Sequence, residues 1–112
     1  MTLYKQGHVL LVPFPFTDQS GSKQRPAVVL SGATYNQNHP DVILAPITSQ
    51  IAGAGDGVTL LEWRSAGLLK PSIVKPLLSS FDKRLIRRIL GSLSAPDISH
   101  IRGMIAEILD LS

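Results

Sequence analysis

A change of period near the end of the chain constrains its fold more than any other feature. Up to residue 93, apolar residues come in short runs: HVLLVPF (8–14), PAVVLSG (26–32), DVILAPIT (41–48), VTLLEW (58–63), SIVKPLLSSF (72–81) and RRILGSL (87–93). β-Branched runs bounded by glycine, proline and small polar residues predict strands. From Ser94 onward the spacing becomes helical, with Ile98, Ile101, Ile105, Ile108 and Leu109 on one stripe. Ser94-Ala95-Pro96-Asp97 matches a capping pattern, and Pro96 falls in the first turn, where a missing N–H costs little. The pattern predicts a helix over 95–110. Many short strands followed by one terminal helix predict a mainly β fold, a small barrel-like sheet with the helix packed on it. A length of 112 residues suits one domain, and such a chain can bury a core without cross-links.

The connections also carry information. FTDQSGSKQ (16–24) is rich in turn formers and exceeds the usual two to five residues of a hairpin loop, which points to function. SQIAGAGDG (49–57) is a second glycine-rich loop, and ATYNQNHPD (33–41) is polar with room for one helical turn. Pro76 removes a ladder donor, so it marks an edge or a bulge in the run 72–81.

Several classes of chemistry are excluded by residue type. There is no cysteine, so neither a disulfide framework nor a thiolate zinc site is available; a reducing, cytoplasmic setting is expected. His8, His39 and His100 are far apart and lack carboxylates at metal-ligand spacing, so no metal and no cofactor is expected. GAGDG (53–57) precedes a strand, whereas a phosphate cradle follows a strand and opens a helix. The N-terminal apolar run is broken by prolines and is too short to span a bilayer. The net charge is +3, with −2 on residues 97–112 and +5 on the rest. Lys83, Arg84, Arg87 and Arg88 lie close together. A solvated charged surface accounts for this pattern, and so does a polyanionic partner.

The strand ends hold the candidate site. Arg25 is placed at a loop-to-strand junction, and Thr48 and Ser49 where the third strand leaves the sheet. If the second and third strands are antiparallel neighbours, Arg25 and Thr48 meet at one rim under two loops. Pro26 keeps Arg25 in the extended region, which aims the guanidinium from a stiff base. A planar, permanently charged donor fork suits phosphate, and Thr48 adds a hydroxyl of restricted χ1. Residue types alone are already met by a solvated arginine at a strand entrance and a β-favouring threonine.

The segments GHVLLVPFPFTDQSGSKQRPAVVLS, LAPITSQ, GLLKPSIVK, FDKRLI and the LGSLS-helix ending, in this order, resemble the MazF/PemK toxin family. The resemblance runs over nearly the whole chain, so residues 1–112 are expected to be a single toxin domain of this kind. It implies an SH3-like β-barrel with a C-terminal helix, shared with the CcdB-like gyrase poisons. It implies the toxin of a type II toxin–antitoxin system: a homodimeric, metal-independent endoribonuclease that cuts single-stranded RNA at short sequences and is inhibited by a cognate antitoxin. The products implied are 2′,3′-cyclic phosphate and 5′-hydroxyl ends. The implied catalytic pair falls on Arg25 and Thr48. Ser22, Lys23, Gln24, Ser49, Gln50 and Lys75 are the RNA-contacting candidates around it. Two positions depart from the family pattern. Gly7-His8 stands where Gly-Asp is common, and Leu77-Leu78-Ser79 where many members carry Gln-x-Arg. A non-catalytic, CcdB-like protein-binding toxin and an RNA-binding barrel without activity are the alternatives.

Overall fold

The computed structural model describes residues 2–13, 23–52 and 55–111. Its elements run β1 (His8–Pro13), β2 (Gln24–Val29), α1 (Ala33–Asn38), β3 (Asp41–Thr48), β4 (Val58–Thr59), β5 (Ile73–Val74), β6 (Ser79–Asp82), a 3₁₀ turn (Lys83–Leu85), β7 (Arg88–Ser92) and α2 (Ala95–Leu109). Among the described residues the strands form one antiparallel sheet in the order β4-β5-β3-β2-β1-β7, with β6 also on β3. No ladder joins β7 to β4 among these residues, so the barrel is open.

The pleat divides the central strands between two cores. Val9, Val28, Ala45 and Ile47 face one way and pack with Leu60, Leu93 and, from α2, Ile101 and Met104. Leu10, Val12, Ala27, Val29, Val42 and Leu44 face the other way, with Phe81 of β6 among them. This alternation is what period-2 strands buried on both faces require. On α2 the expected stripe is buried at Ile101 and partly at Ile98 and Ile105, whereas Ile108 and Leu109 remain exposed.

Two expectations for the sheet need correction. The run 72–81 is two strands, not one: β5 pairs with the end of β3 (Ile47↔Val74) and β6 with its start (Leu44↔Ser79). Pro76 lies between them, and Pro46, which has no N–H to donate, lies in the matching gap on β3. The run 58–63 is strand only at Val58–Thr59; a turn over 63–67 follows.

The capping expectation is met on one side only. The Ser94 hydroxyl accepts from the Asp97 N–H at 3.4 Å. The Asp97 carboxylate does not cap the helix in return. It is 0% exposed and accepts from the Leu61 N–H at 2.9 Å and the Glu62 N–H at 3.0 Å. A buried carboxylate is tolerated only where such donors meet it. Asp97 thus ties the start of α2 to the segment that leads into the 63–67 turn.

Candidate nucleic-acid cleft

Register builds the site. β2 and β3 pair with Ala27 opposite Pro46. Two residues further along the same antiparallel register, Arg25 stands beside Thr48. On its other side Arg25 is paired with Val12 of β1. β2 begins at Gln24, so Arg25 is the second residue of the strand. Pro26 sits opposite Leu11, and Leu11 opposite Arg88. Directly opposed residues share a face, so Arg88, Leu11, Pro26 and Ile47 form one row across β7, β1, β2 and β3.

Two clefts open at this rim. The larger, of ≈ 420 Å³, is floored by that row and walled by Gly67, Leu68, Leu69, Lys70, Ser72 and Leu90, with Arg25, Thr48, Ser49 and Gln50 on its near side. The smaller, of ≈ 170 Å³, is lined by Arg25, Pro46, Ile47, Thr48, Gln50 and Lys75. Arg25, Ile47, Thr48 and Gln50 belong to both. Among the described residues, the charged residues lining the two clefts are Arg25, Lys70, Lys75 and Arg88, all basic. Low-dielectric walls focus the field of such a set and favour an anionic ligand.

Arg25 is half-buried and its Nε is shielded from solvent. The side chain is thus partly enclosed as far as Nε, and Arg25 lines both clefts. The Thr48 Oγ1 accepts the Gln50 N–H at 3.1 Å. A hydroxyl that accepts from the backbone keeps its own proton to donate, here toward the clefts.

Of the other candidates, Ser49 and Gln50 line the larger cleft and Lys75 the smaller. Lys23 and Gln24 are exposed at the start of β2 and line neither cleft. Ser22 lies outside the described residues. The sequence pattern does not single out Lys70 or Arg88 for the site. Members of the basic run 83–88 serve different ends. The Lys83 Nζ donates to the Asn36 carbonyl at 2.6 Å and Arg84 pairs with Asp82 at 2.8 Å, whereas Arg88 faces the larger cleft. His8 lies on β1 away from both clefts, and His39 stacks on Tyr35. No helix in the described residues is long and apolar enough to cross a membrane.

The comparisons with known proteins agree on the fold. Residues 5–109 match the family model described as PemK-like, MazF-like toxin of type II toxin–antitoxin system. No curated protein sequence matches the chain. Among solved structures, MazF of a MazE–MazF crystal form from Deinococcus radiodurans is 28% identical, with 99% of this chain and 100% of that one covered and a TM-score of 0.78. A second MazE–MazF form from the same organism is 26% identical, fully covers both chains and has a TM-score of 0.80. The Mycobacterium tuberculosis toxin MazF-mt6, 22% identical over 94% of this chain and 98% of that one, shares the fold with a TM-score of 0.75. With residues 5–109 matched by the family model and the fold shared with the Deinococcus structures, the chain belongs to the PemK-like, MazF-like toxin family of type II toxin–antitoxin systems.

Proposed function

We propose that the chain is a metal-independent endoribonuclease that cuts single-stranded RNA. The observation that carries this reading is that Arg25 and Thr48 line the same two clefts, whose charged lining among the described residues is basic. In the reaction the ribose 2′-hydroxyl loses its proton and its oxygen attacks the adjacent phosphorus. The bond from phosphorus to the 5′-oxygen breaks, and that oxygen takes up a proton. The products are a 2′,3′-cyclic phosphate and a 5′-hydroxyl. Arg25 stabilises the charge that gathers on the non-bridging oxygens, and the Thr48 hydroxyl donates to one of them. Arginine holds its proton too firmly to serve readily as the acid. Among the described residues no carboxylate or imidazole lines either cleft, which puts the weight of catalysis on charge stabilisation. Because the nucleophile is the 2′-hydroxyl, DNA is not a substrate.

Membership of a toxin–antitoxin family, and the antitoxin named with the Deinococcus relatives, support a cognate antitoxin as partner. An acidic segment that folds as it binds suits this basic rim. A homodimer is the assembly proposed, since a two-fold arrangement would extend the basic surface. The test is a defined single-stranded RNA incubated with the protein in EDTA, followed by end-group analysis. Cyclic phosphate and 5′-hydroxyl ends are expected. RNA left intact by folded protein would return the chain to the non-catalytic, protein-binding reading.

A further inference from the structure

We propose that Lys70 and Arg88 form a second anion-binding arm of the larger cleft, holding an RNA phosphate next to the one attacked between Arg25 and Thr48. The inference rests on the ribonuclease reading. Arg88 shares its cross-strand row with Leu11 and Pro26. It therefore stands on the cleft floor two strand spacings from Pro26, roughly 9–10 Å. That separation is between backbone positions, and the long Arg88 side chain can bridge part of it, so its guanidinium can reach a phosphate next to the one at Arg25.

Lys70 comes from the opposite wall, and the wall is fixed. Gly67 has φ +83, and a Cβ there would run into the Leu90 carbonyl. A Cβ on Gly91 would come within 2.7 Å of the Ala66 backbone. The turn over 63–67 thus docks backbone to backbone on β7, which only glycine permits. The segment is held upstream where Asp97 accepts from Leu61 and Glu62, and downstream where the Leu60 N–H donates to the Ser72 carbonyl at 3.0 Å. Lys70 is therefore carried by an anchored stretch beside Arg88.

The two charges are also uncommitted. Lys83 and Arg84 are engaged within the chain, whereas neither the Lys70 ammonium nor the Arg88 guanidinium has an ion-pair or hydrogen-bond partner among the described residues. Leu69 is 93% exposed at the same wall. An exposed apolar side chain in the same cleft as two cations gives a nucleotide both a phosphate contact and a base contact.

The test compares wild type, Lys70→Ala, Arg88→Ala, the double variant and Arg102→Ala, whose charge lies on α2 and lines neither cleft. The probes are an RNA that the wild type cuts and the same RNA with a 2′-deoxy sugar at the cut position. The double variant should bind the uncut probe about tenfold more weakly and lose about 0.7 from the slope of log affinity against log salt, the change for one phosphate no longer neutralised. The loss is expected in KM rather than kcat, and Arg102→Ala should keep the wild-type slope. A double variant with a normal melting curve, wild-type KM and wild-type slope would overturn the arm while leaving the ribonuclease reading intact. A wild type that cuts no RNA overturns that reading, and the arm with it.

Discussion

The same three central strands carry polar residues at both ends, and the two ends treat them oppositely. At the end where β2 leaves and β3 begins, the Ser31 hydroxyl bonds to the Asn36 side-chain carbonyl and accepts the Ile43 N–H at 2.9 Å. The Asn36 amide donates to the Tyr4 and Ser31 carbonyls at 3.0 and 3.1 Å. Asn36 is 2% exposed. Asp97, tied to Leu61 and Glu62, belongs to the same end, because α2 starts where the Leu93 N–H meets the Gly7 carbonyl. Each of these buried groups finds its partner inside the chain. At the other end, Arg25, Thr48, Lys70, Lys75 and Arg88 face open clefts. Buried polar groups satisfied by the chain stabilise and specify a fold. Cations at a rim where no carboxylate among the described residues lines the clefts suit an anionic partner that arrives from outside.

The sharpest way to test this contrast is at the open end. Arg25→Ala should lower single-turnover cleavage by about 10²–10³, the equivalent of roughly 2.7–4 kcal/mol for one oriented donor. Its melting curve should stay close to wild type. Arg25→Lys restores charge without the two-pronged geometry, so it should recover RNA binding better than turnover. A folded Arg25→Ala protein that cuts at the wild-type rate would remove Arg25 from the site. A variant that fails to fold would break the contrast itself.

At the closed end the expected loss is of stability. Asp97→Ala leaves two backbone N–H groups without their acceptor, which should cost about 2–3 kcal/mol. For a domain of this size, thermal denaturation should show a drop of roughly 10 °C. Asn36→Ala should lose somewhat less, because Ser31 Oγ still meets the Ile43 N–H. Both variants, assayed well below their melting points, should keep the wild-type kcat. If Asn36→Ala abolished kcat at full stability, the closed end would have a direct part in the chemistry.

Thr48 should give a smaller change than Arg25. Thr48→Ala removes a neutral donor and should slow cleavage about tenfold to hundredfold. Thr48→Ser keeps the hydroxyl, and its acceptance of the Gln50 N–H, but frees χ1. It should retain a good part of the rate. Equal, near-total losses in Thr48→Ser and Thr48→Ala would mean that the methyl group, and not the hydroxyl, is what the site needs.

These two ends are not equally legible in the sequence. β1, β2, β3 and α2 show plainly, because each carries a full period of buried residues: Val9, Leu10 and Val12; Ala27 to Val29; Val42, Leu44 and Ala45; Ile101 with Met104. Arg25 and Thr48 follow from pairing adjacent strands, which needs only chain order. β4 and β5 are two residues each, too short to show any period, so the run 72–81 reads as one strand across Pro76. Arg88 is hidden for a different reason. Its link to Pro26 passes through β1, and β7 reaches β1 by a shift in register between Val9 and Leu10, which no local pattern announces. Asp97 reads as a helix cap because local sequence offers one. Its true partners lie 35 and 36 residues back.

The smallest predicted effect separates the two ends by acidity. His8 opens β1 at the closed end, where its Nδ1 accepts the Lys5 N–H at 3.1 Å. An accepting ring nitrogen requires neutral imidazole. Partial burial, and then the charge of Lys5, hold the His8 pKa below the ordinary histidine value. As pH falls, the unfolded chain therefore takes up this proton before the folded one. The contribution of His8 is fully present above about pH 6.5 and is lost as pH drops through its lower, folded-state value. Acid should therefore weaken the fold at the closed end. The measurement is the melting temperature of wild type and His8→Gln from neutral to mildly acid pH. The difference between them should shift in favour of His8→Gln as the solution is acidified. A difference that stayed constant with pH would show that His8 has the same affinity for its proton in both states, and would leave acid sensitivity at this end without a cause.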